Sequence, residues 1–213
     1  MTRRAAASRH PCGLPLQPAA SRLRAAVSAA TVLAAVMAAG VPAAAQEPDR
    51  WIVDHEESRL GFTAFQGGAF QGRFTDWQAD IRFSPDALDA SAVTVTVNVA
   101  SIETGSDDRD ETATEEPWFD VADHPRATFS AETFRALGDG RYEAVGELSM
   151  KGIGREIVLP FELGIDGDTA RVEGGLSIDR TGWNLGTGDF STEEIVGFEV
   201  RIEVELVAER AAD

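Results

Sequence analysis

The 213-residue chain has few of the residues on which most protein chemistry depends. It contains one cysteine, three histidines and one lysine, so a disulfide framework and a thiolate metal cluster are both excluded. Its 19 basic residues stand against 36 acidic ones, and the net charge of −17 disfavours nucleic-acid binding through a basic surface. The sequence has no phosphate-binding loop, no dinucleotide fingerprint and no serine-nucleophile elbow. These absences favour a binding protein over an enzyme and predict no catalytic residue and no cofactor.

The first 45 residues follow the three-part pattern of a secretory signal peptide. Residues 1–24 carry five arginines and no acid, 25–39 are uncharged and apolar, and Ala43-Ala44-Ala45 offers small residues for signal peptidase. The apolar segment is shorter than the roughly 20 residues that span a membrane, so we predict export and cleavage rather than membrane insertion. The predicted mature chain, 46–213, has no cysteine and a net charge of −22, from 14 basic and 36 acidic residues.

Alternation of apolar and polar residues, the period of a half-buried strand, runs through the mature chain. In 92–99 four valines alternate with polar residues, and in 194–208 seven apolar residues alternate with mostly charged ones. Short turn sequences rich in glycine, aspartate and proline separate these segments. The pattern predicts strands at 51–54, 59–65, 69–83, 92–99, 126–134, 141–151, 153–163, 169–178 and 194–208.

Two segments depart from simple alternation. The apolar residues of 69–83 change phase at Thr75-Asp76, which predicts a β-bulge or a sharp bend, because a strand cannot change face without one. Residues 102–125 show no alternation and are expected to form one or two short helical turns. An antiparallel meander of about eight strands closes into a barrel or a sandwich, so we predict an all-β fold.

The interior of an eight-stranded barrel is either filled by side chains or wide enough for one small ligand. Many of the inward positions carry small residues next to aromatic ones. They pack closely in one interpretation and leave an elongated apolar cavity in the other, and the sequence leaves both open. The small inward residues are Gly72, Ala79, Ala127, Ala131, Ala144, Gly146 and Gly174.

Candidate metal ligands are few in the mature chain, which retains His55 and His124. His55 lies between Asp54 and Glu56, but adjacent residues in a strand point to opposite faces. The acidic residues of 103–116 lack the spacing and the glycine of an EF-hand loop. We therefore predict no metal site and interpret 103–116 as a solvated acidic loop.

An ordered set of short motifs runs through 72–163. They are Gly72-Arg73-Phe74, Ile81-Arg82-Phe83, Ala100-Ser101-Ile102-Glu103-Thr104-Gly105, Arg109-Asp110, Trp118-Phe119-Asp120, His124-Pro125-x-Ala127-x-Phe129, Gly146-x-Leu148-x-x-x-Gly152 and Pro160-Phe161. With these motifs in this order, the chain resembles the YceI-like family of lipid- and polyisoprenoid-binding proteins over 51–208. It departs from the family at 62–66, where many members carry a histidine, and at 112–114, where a leucine is common.

The resemblance implies a lipocalin-like, extended eight-stranded antiparallel β-barrel with a short helical lid around 105–120. It also implies a periplasmic location, an association with stress response, no catalytic residues, and a polyisoprenoid, prenylquinone or similar apolar lipid inside the barrel. Terminal strands of such barrels could also pair two copies into a homodimer. The predicted ligand contacts are Phe62, Phe70, Phe74, Trp77, Trp118, Phe119, Phe129, Met150, Phe161, Trp183, Arg73, Arg109 and His124.

The charge of the mature chain bears on the head group of such a lipid. A net charge of −22 repels a pyrophosphate unless local arginines offset it, so a neutral polyprenyl ligand is favoured. Arg73 and Arg109 could pair with an anion, or could instead bridge to Asp76 and Asp110. Two other functions stay open: a ligand-free accessory module with a filled barrel, and a hydrolase or isomerase that acts on a bound lipid.

Overall fold

The computed structural model describes residues 47–212, and the predicted signal peptide at 1–45 lies outside this range. In the described part, no helix is both long and apolar enough to cross a membrane. The elements are β1 (Arg50–Val53), β2 (Arg59–Phe65), β3 (Ala69–Phe74), β4 (Trp77–Arg82), β5 (Ala92–Asn98), β6 (Ile102–Glu103), α1 (Asp107–Thr114), β7 (Arg126–Gly138), β8 (Arg141–Met150), β9 (Ile153–Asp166), β10 (Thr169–Asp179) and β11 (Glu199–Arg210).

The strands form one closed antiparallel ring. Three of the strands in the ring are interrupted: β1 and β2 are successive parts of one strand, β3 and β4 of the next, and β5 and β6 of the third. Accordingly, β4 is hydrogen-bonded to β1 and β5, and β3 is hydrogen-bonded to β2 and β6. The remaining strands follow as a meander in chain order. The last strand closes the ring, because β11 pairs with β10 on one side and with β1 and β2 on the other. The predicted eight-stranded antiparallel barrel is confirmed.

The predicted bend between Phe74 and Trp77 is also confirmed, and the residues opposite the bend hold it. The main-chain N–H of Thr75 donates to the carbonyl of Ser101 at 3.2 Å, and that of Asp76 donates to the Ser101 hydroxyl at 3.0 Å. These bonds replace the interrupted ladder. As a result, even-numbered residues before the bend and odd-numbered residues after it face the interior.

A second change of phase lies in β7. The register with β8 shifts between Ala131 and Thr133, so that Glu132 is the extra residue of a bulge. On the facing strand, an added Cβ at Gly146 would lie 2.2 Å from the Ser130 carbonyl oxygen. Glycine is therefore required where the bulge brings the two backbones together.

Several segments differ from the sequence-based boundaries, and β7 and β9, expected to end at residues 134 and 163, extend to Gly138 and Asp166. The last strand was expected from residue 194 but begins at Glu199, because Val196 and Gly197 direct their carbonyls to the Arg180 guanidinium and so leave the ladder. The α-helix, expected within 105–120, covers Asp107–Thr114, and turns follow it. Three aspartates in its first turn are favourable there, because the amino end of a helix carries partial positive charge.

The core consists of two apolar clusters, one towards each end of the barrel. One is centred on Trp51, Phe83 and Phe134 and includes residues of β1 and β11, the first and last strands. The other is centred on Val99 and Trp183 and lies near α1 and the residues after β10. The inward faces of the strands between these clusters surround the space described next.

Candidate ligand-binding cavity

An apolar cavity of about 480 Å³ lies inside the barrel. The predicted inward positions of β4, β5, β9, β10 and β11 line it, so the alternation in the sequence corresponds to the wall of the cavity. The interpretation of a completely filled barrel is thereby disfavoured. The aliphatic strand residues that line the cavity include Val93, Val95, Val97, Ile157, Leu159, Leu163, Val172, Leu176, Ile178, Val200, Ile202, Val204 and Leu206.

One end of the cavity is closed by buried aromatic side chains. Trp51 is 4% exposed and donates its indole N–H to the Phe83 carbonyl at 2.9 Å. The Phe83 ring meets Phe134, Tyr142 and Phe161 edge-on at centroid distances of 5.2, 5.6 and 6.0 Å. Edge-to-face packing of this kind is a favourable arrangement for aromatic rings. This end therefore forms a solid base.

The other end of the cavity reaches the surface beside α1. Gln66, in the β2–β3 turn, and Asp108, in α1, line the cavity and are also exposed to solvent. Arg109, Thr112 and Ala113 of the helix line the cavity as well. The helix therefore covers part of the opening, in the position of the expected lid.

Four phenylalanines form a continuous path from the opening into the cavity. Phe62 lies 6.3 Å from Phe70 and 5.8 Å from Phe74, between ring centroids. Phe74 in turn meets Phe119 edge-on at 6.0 Å. An added Cβ at Gly72 would lie 2.3 Å from the Phe62 ring, so glycine leaves the space that this ring occupies.

Arg109 is a cation at the opening, and its neighbours hold it in place. Its guanidinium carbon lies 4.6 Å from the centroid of the Phe70 ring, and it donates to the hydroxyl and the carbonyl of Thr104 at 3.2 and 3.0 Å. Asp110 accepts from the hydroxyl and N–H of Thr104, at 2.6 and 2.8 Å, and does not bridge to Arg109. Among the described residues Arg109 forms no ion pair, so guanidinium donors remain for a ligand.

Arg180 is 1% exposed and organises the loop that follows β10. Burial lowers the pKa of its guanidinium, but the ordinary value is so high that the group stays charged at neutral pH. The guanidinium also lies 5.0 Å from the Trp118 ring. It donates to the carbonyls of Leu185 at 2.6 Å, Gly186 at 3.2 Å, Phe190 at 2.8 Å, Val196 at 2.8 Å and Gly197 at 2.9 Å.

The predicted contact residues separate into two groups. Those that line the cavity are Phe62, Phe70, Phe74, Trp77, Trp118, Phe119, Phe129, Met150, Phe161 and Arg109. The other three lie outside its lining. Arg73 is exposed and pairs with Glu103 at 2.7 Å rather than with Asp76, His124 packs against Gly152, and Trp183 is buried with its indole N–H on the Leu148 carbonyl.

Several residues that line the open end were not identified from the sequence. Arg180, Leu185 and Phe190 lie between the predicted strands 169–178 and 194–208, in a segment with no periodicity that would indicate burial. The indole N–H of Trp118 is buried and has no hydrogen-bond partner among the described residues. No sequence pattern predicts a buried N–H donor without a partner.

Titratable groups near the cavity do not form a metal site. Within 47–212, no cluster of three His, Cys, Asp or Glu side chains could hold a metal ion. His55 is exposed, and its ring packs edge-on against Trp77 at 4.4 Å between centroids. The pKa of Asp179 lies below its usual value, chiefly because the Thr181 hydroxyl donates to its carboxylate and also because Arg180 and Arg155 are near.

Comparison with known proteins identifies similar sequences and folds. The family model of the YceI-like domain matches residues 51–208. A UPF0312 protein of Pseudomonas savastanoi is 27% identical over 64% of this chain and 71% of its own length. Another, of Ectopseudomonas mendocina, is 28% identical over 50% of this chain, which spans only 53% of that relative.

Solved structures agree in fold. BcnA of Burkholderia cenocepacia superposes with a TM-score of 0.71 at 29% identity, covering 73% of this chain and 99% of that one. A polyisoprenoid binding domain from Saccharophagus degradans, implicated in plant cell wall breakdown, superposes with a TM-score of 0.62 at 16% identity, covering 77% and 99%.

Proposed function

Because the chain belongs to the YceI-like family, we propose that it is a carrier or sequestering protein for a long apolar lipid held inside its barrel. The apolar cavity of about 480 Å³ is the observation that carries this proposal. Burial of roughly ten methylene groups contributes about 8 kcal/mol before the entropy of association is subtracted, so tight binding requires a long chain. The polyisoprenoid-binding domain with the same fold supports a ligand of the isoprenoid or prenylquinone class.

We further propose that the ligand's polar end lies at Arg109. A head group that accepts hydrogen bonds suits this position, because the guanidinium is held by Thr104 and Phe70 and no carboxylate of residues 47–212 pairs with it. The net charge of −22 on 46–213 opposes a multiply charged anion such as a pyrophosphate. A neutral quinone or amide carbonyl is therefore the favoured head group.

The location and the absence of catalysis are also proposals. The segment 1–45 has the pattern of a signal peptide, which supports export to the periplasm; intact-mass measurement of protein from periplasmic extracts tests this. A non-enzymatic role is supported by the placement of His55 and His124 outside the cavity lining. If His55→Ala or His124→Ala stopped a chemical change in a bound lipid, that role would be wrong.

Homodimer formation and an association with stress response stay predictions. Over their paired residues, β1 and β11 are each bonded to strands on both sides, so neither has a free edge there for a second copy. Light scattering of the purified protein tests the oligomeric state. Survival of a deletion strain under oxidative or solvent stress tests the second prediction.

Native mass spectrometry, combined with a variant that fills the cavity, tests the ligand proposal. We expect the purified protein to carry an apolar adduct or to take up decylubiquinone. Val204 lines the cavity at the middle of β11, and Val204→Trp should abolish uptake by filling the space. Glu205→Trp, one residue further on the exposed face, is the matched control and should retain uptake. A parent protein with neither adduct nor uptake contradicts the proposal.

A further inference from the structure

The wall of the barrel is split between β9 and β10. Their pairing begins at the turn, with Asp166 opposite Thr169, and stops at Phe161 opposite Gly174. In the described structure, 153–160 of β9 and 175–179 of β10 do not pair with each other. Each strand nevertheless continues to pair with its other neighbour, β9 with β8 and β10 with β11. The separation is therefore local to one seam of the barrel.

Pro160 explains where the split begins. Leu163 donates its N–H to the carbonyl of Gly140, on the β8 side, at 2.8 Å. Because successive residues of a strand direct their main-chain groups to opposite neighbours, the main-chain groups of position 160 face β10. Proline has no N–H to donate, so the ladder loses a bond at the first position beyond the last pair.

A solvent-open groove of about 540 Å³ lies along the split. Three of the aliphatic residues that line the groove, Ile157, Leu176 and Ile178, also line the internal cavity. A single layer of side chains therefore separates the groove from the cavity. Opening this layer breaks no ladder hydrogen bond between β9 and β10, whereas opening any fully paired seam would break several.

Arg155 connects the two sides of the groove. It lies on β9 at a position whose alternation points inward, yet it is exposed and donates its Nε–H to the Gly182 carbonyl, beyond β10. Its guanidinium carbon also lies 5.8 Å from the Trp183 ring centroid. Trp183 is itself anchored by the bond from its indole N–H to the Leu148 carbonyl at 2.9 Å.

We propose that the split is a side portal through which an apolar ligand enters and leaves the cavity, an inference that rests on the proposed function. Ile157, Leu176 and Ile178 form its gate, and Arg155 is the latch. A chain that enters here slides sideways between two strands that are already separated. The other opening is partly covered by α1, whose Asp110 accepts hydrogen bonds from Thr104.

A covalent cross-link across the seam tests the portal. Continuing the β9–β10 register places Val158 opposite Ser177, and both are exposed and line the groove. In protein carrying Cys12→Ser, the pair Val158→Cys/Ser177→Cys is joined by a short bis-maleimide, and mass spectrometry verifies the cross-link. The matched control is Glu162→Cys/Glu173→Cys, which lies on the same strands in the paired half.

Decylubiquinone is the probe for the exchange rates. Its uptake is followed in stopped flow by quenching of tryptophan fluorescence, and its release by transfer to phosphatidylcholine vesicles. We expect the 158–177 cross-link to slow uptake and release by at least about tenfold and to leave the equilibrium affinity unchanged, because a gate affects rates in both directions. In protein without a cross-link, Arg155→Gln should increase the rates of both uptake and release.

The outcomes separate the portal from the proposed function. Equal exchange rates in the 158–177 and 162–173 cross-linked proteins overturn the portal while the binding function stands. Exchange rates in Arg155→Gln equal to those of the parent contradict its role as the latch. If the parent protein without a cross-link does not bind decylubiquinone or any co-purified lipid, the proposed function is wrong and the portal is rejected with it.

Discussion

Replacing Arg180 by methionine removes the cation that joins the 185–198 segment to the end of β10. Five carbonyls lose a charged donor, and each such hydrogen bond contributes about 1.5–3 kcal/mol. Part of the loss is offset, because methionine carries no charge to desolvate and the freed carbonyls can turn towards water. We expect a net loss of about 3–5 kcal/mol in unfolding free energy, the range for disrupting a buried charge network.

Urea denaturation followed by circular dichroism measures this loss, and Arg201→Met is the matched control. Arg201 has a side chain 58% exposed with Glu203 at 3.6 Å, so its replacement should change stability by less than about 1 kcal/mol. For a domain of this size, the Arg180→Met loss corresponds to a Tm lower by about 6–20 °C. If the two variants unfold at the same urea concentration, the carbonyl cluster does not stabilise the fold and the reasoning is wrong.

Three further perturbations test the fold. Gly146→Ala should lower the unfolding free energy by about 1–3 kcal/mol, because its Cβ meets a main-chain oxygen, whereas Gly164→Ala, which has nothing within 4 Å of the added Cβ, should be nearly neutral in the same urea titration. Trp183→Phe leaves a buried carbonyl without its donor and should cost about 1–3 kcal/mol; an unchanged urea midpoint would show that the bond is dispensable. Asp179→Asn should lower the Tm at pH 7, and its Tm difference from the parent should shrink as the pH falls below the unfolded Asp pKa of about 3.9, because a carboxylate with a lowered pKa stabilises the fold above its unfolded pKa and loses that effect as pH falls through its folded pKa. A Tm difference that does not shrink on acidification would contradict this assignment.

The strand pattern and the bend at 75–76 could be predicted because both follow from local rules. A half-buried strand alternates with a period of two, and a change of phase requires an irregularity in the backbone. The start of β11 could not be predicted in the same way. Val196 and Phe198 continue the alternation, but the carbonyls of Val196 and Gly197 accept hydrogen bonds from Arg180. Arg180 follows β10 and is not part of the local pattern of β11.

The candidate site was predictable to the extent that it consists of inward-facing strand residues. Phe62, Phe74 and Phe129 follow from alternation, and each lines the cavity. Arg73, His124 and Trp183 were predicted as contacts as well, and none of the three lines it. Packing decides such positions: a tryptophan near a strand end can face the cavity or can bury its indole against a neighbouring carbonyl, as Trp183 does.

By itself, the sequence determined an acidic β-chain with a single cysteine, whose alternation places one apolar face on each strand, because the period of two is a property of the local backbone. Only the tertiary structure decided that these faces enclose an unfilled space, that Arg109 at its opening pairs with no carboxylate in the described part of the chain, and that the wall separates beyond Pro160. These features depend on the distances between strands and on the partners that side chains find after closure. These distances and partners are set by residues that lie far apart along the chain, so a local sequence pattern does not predict them.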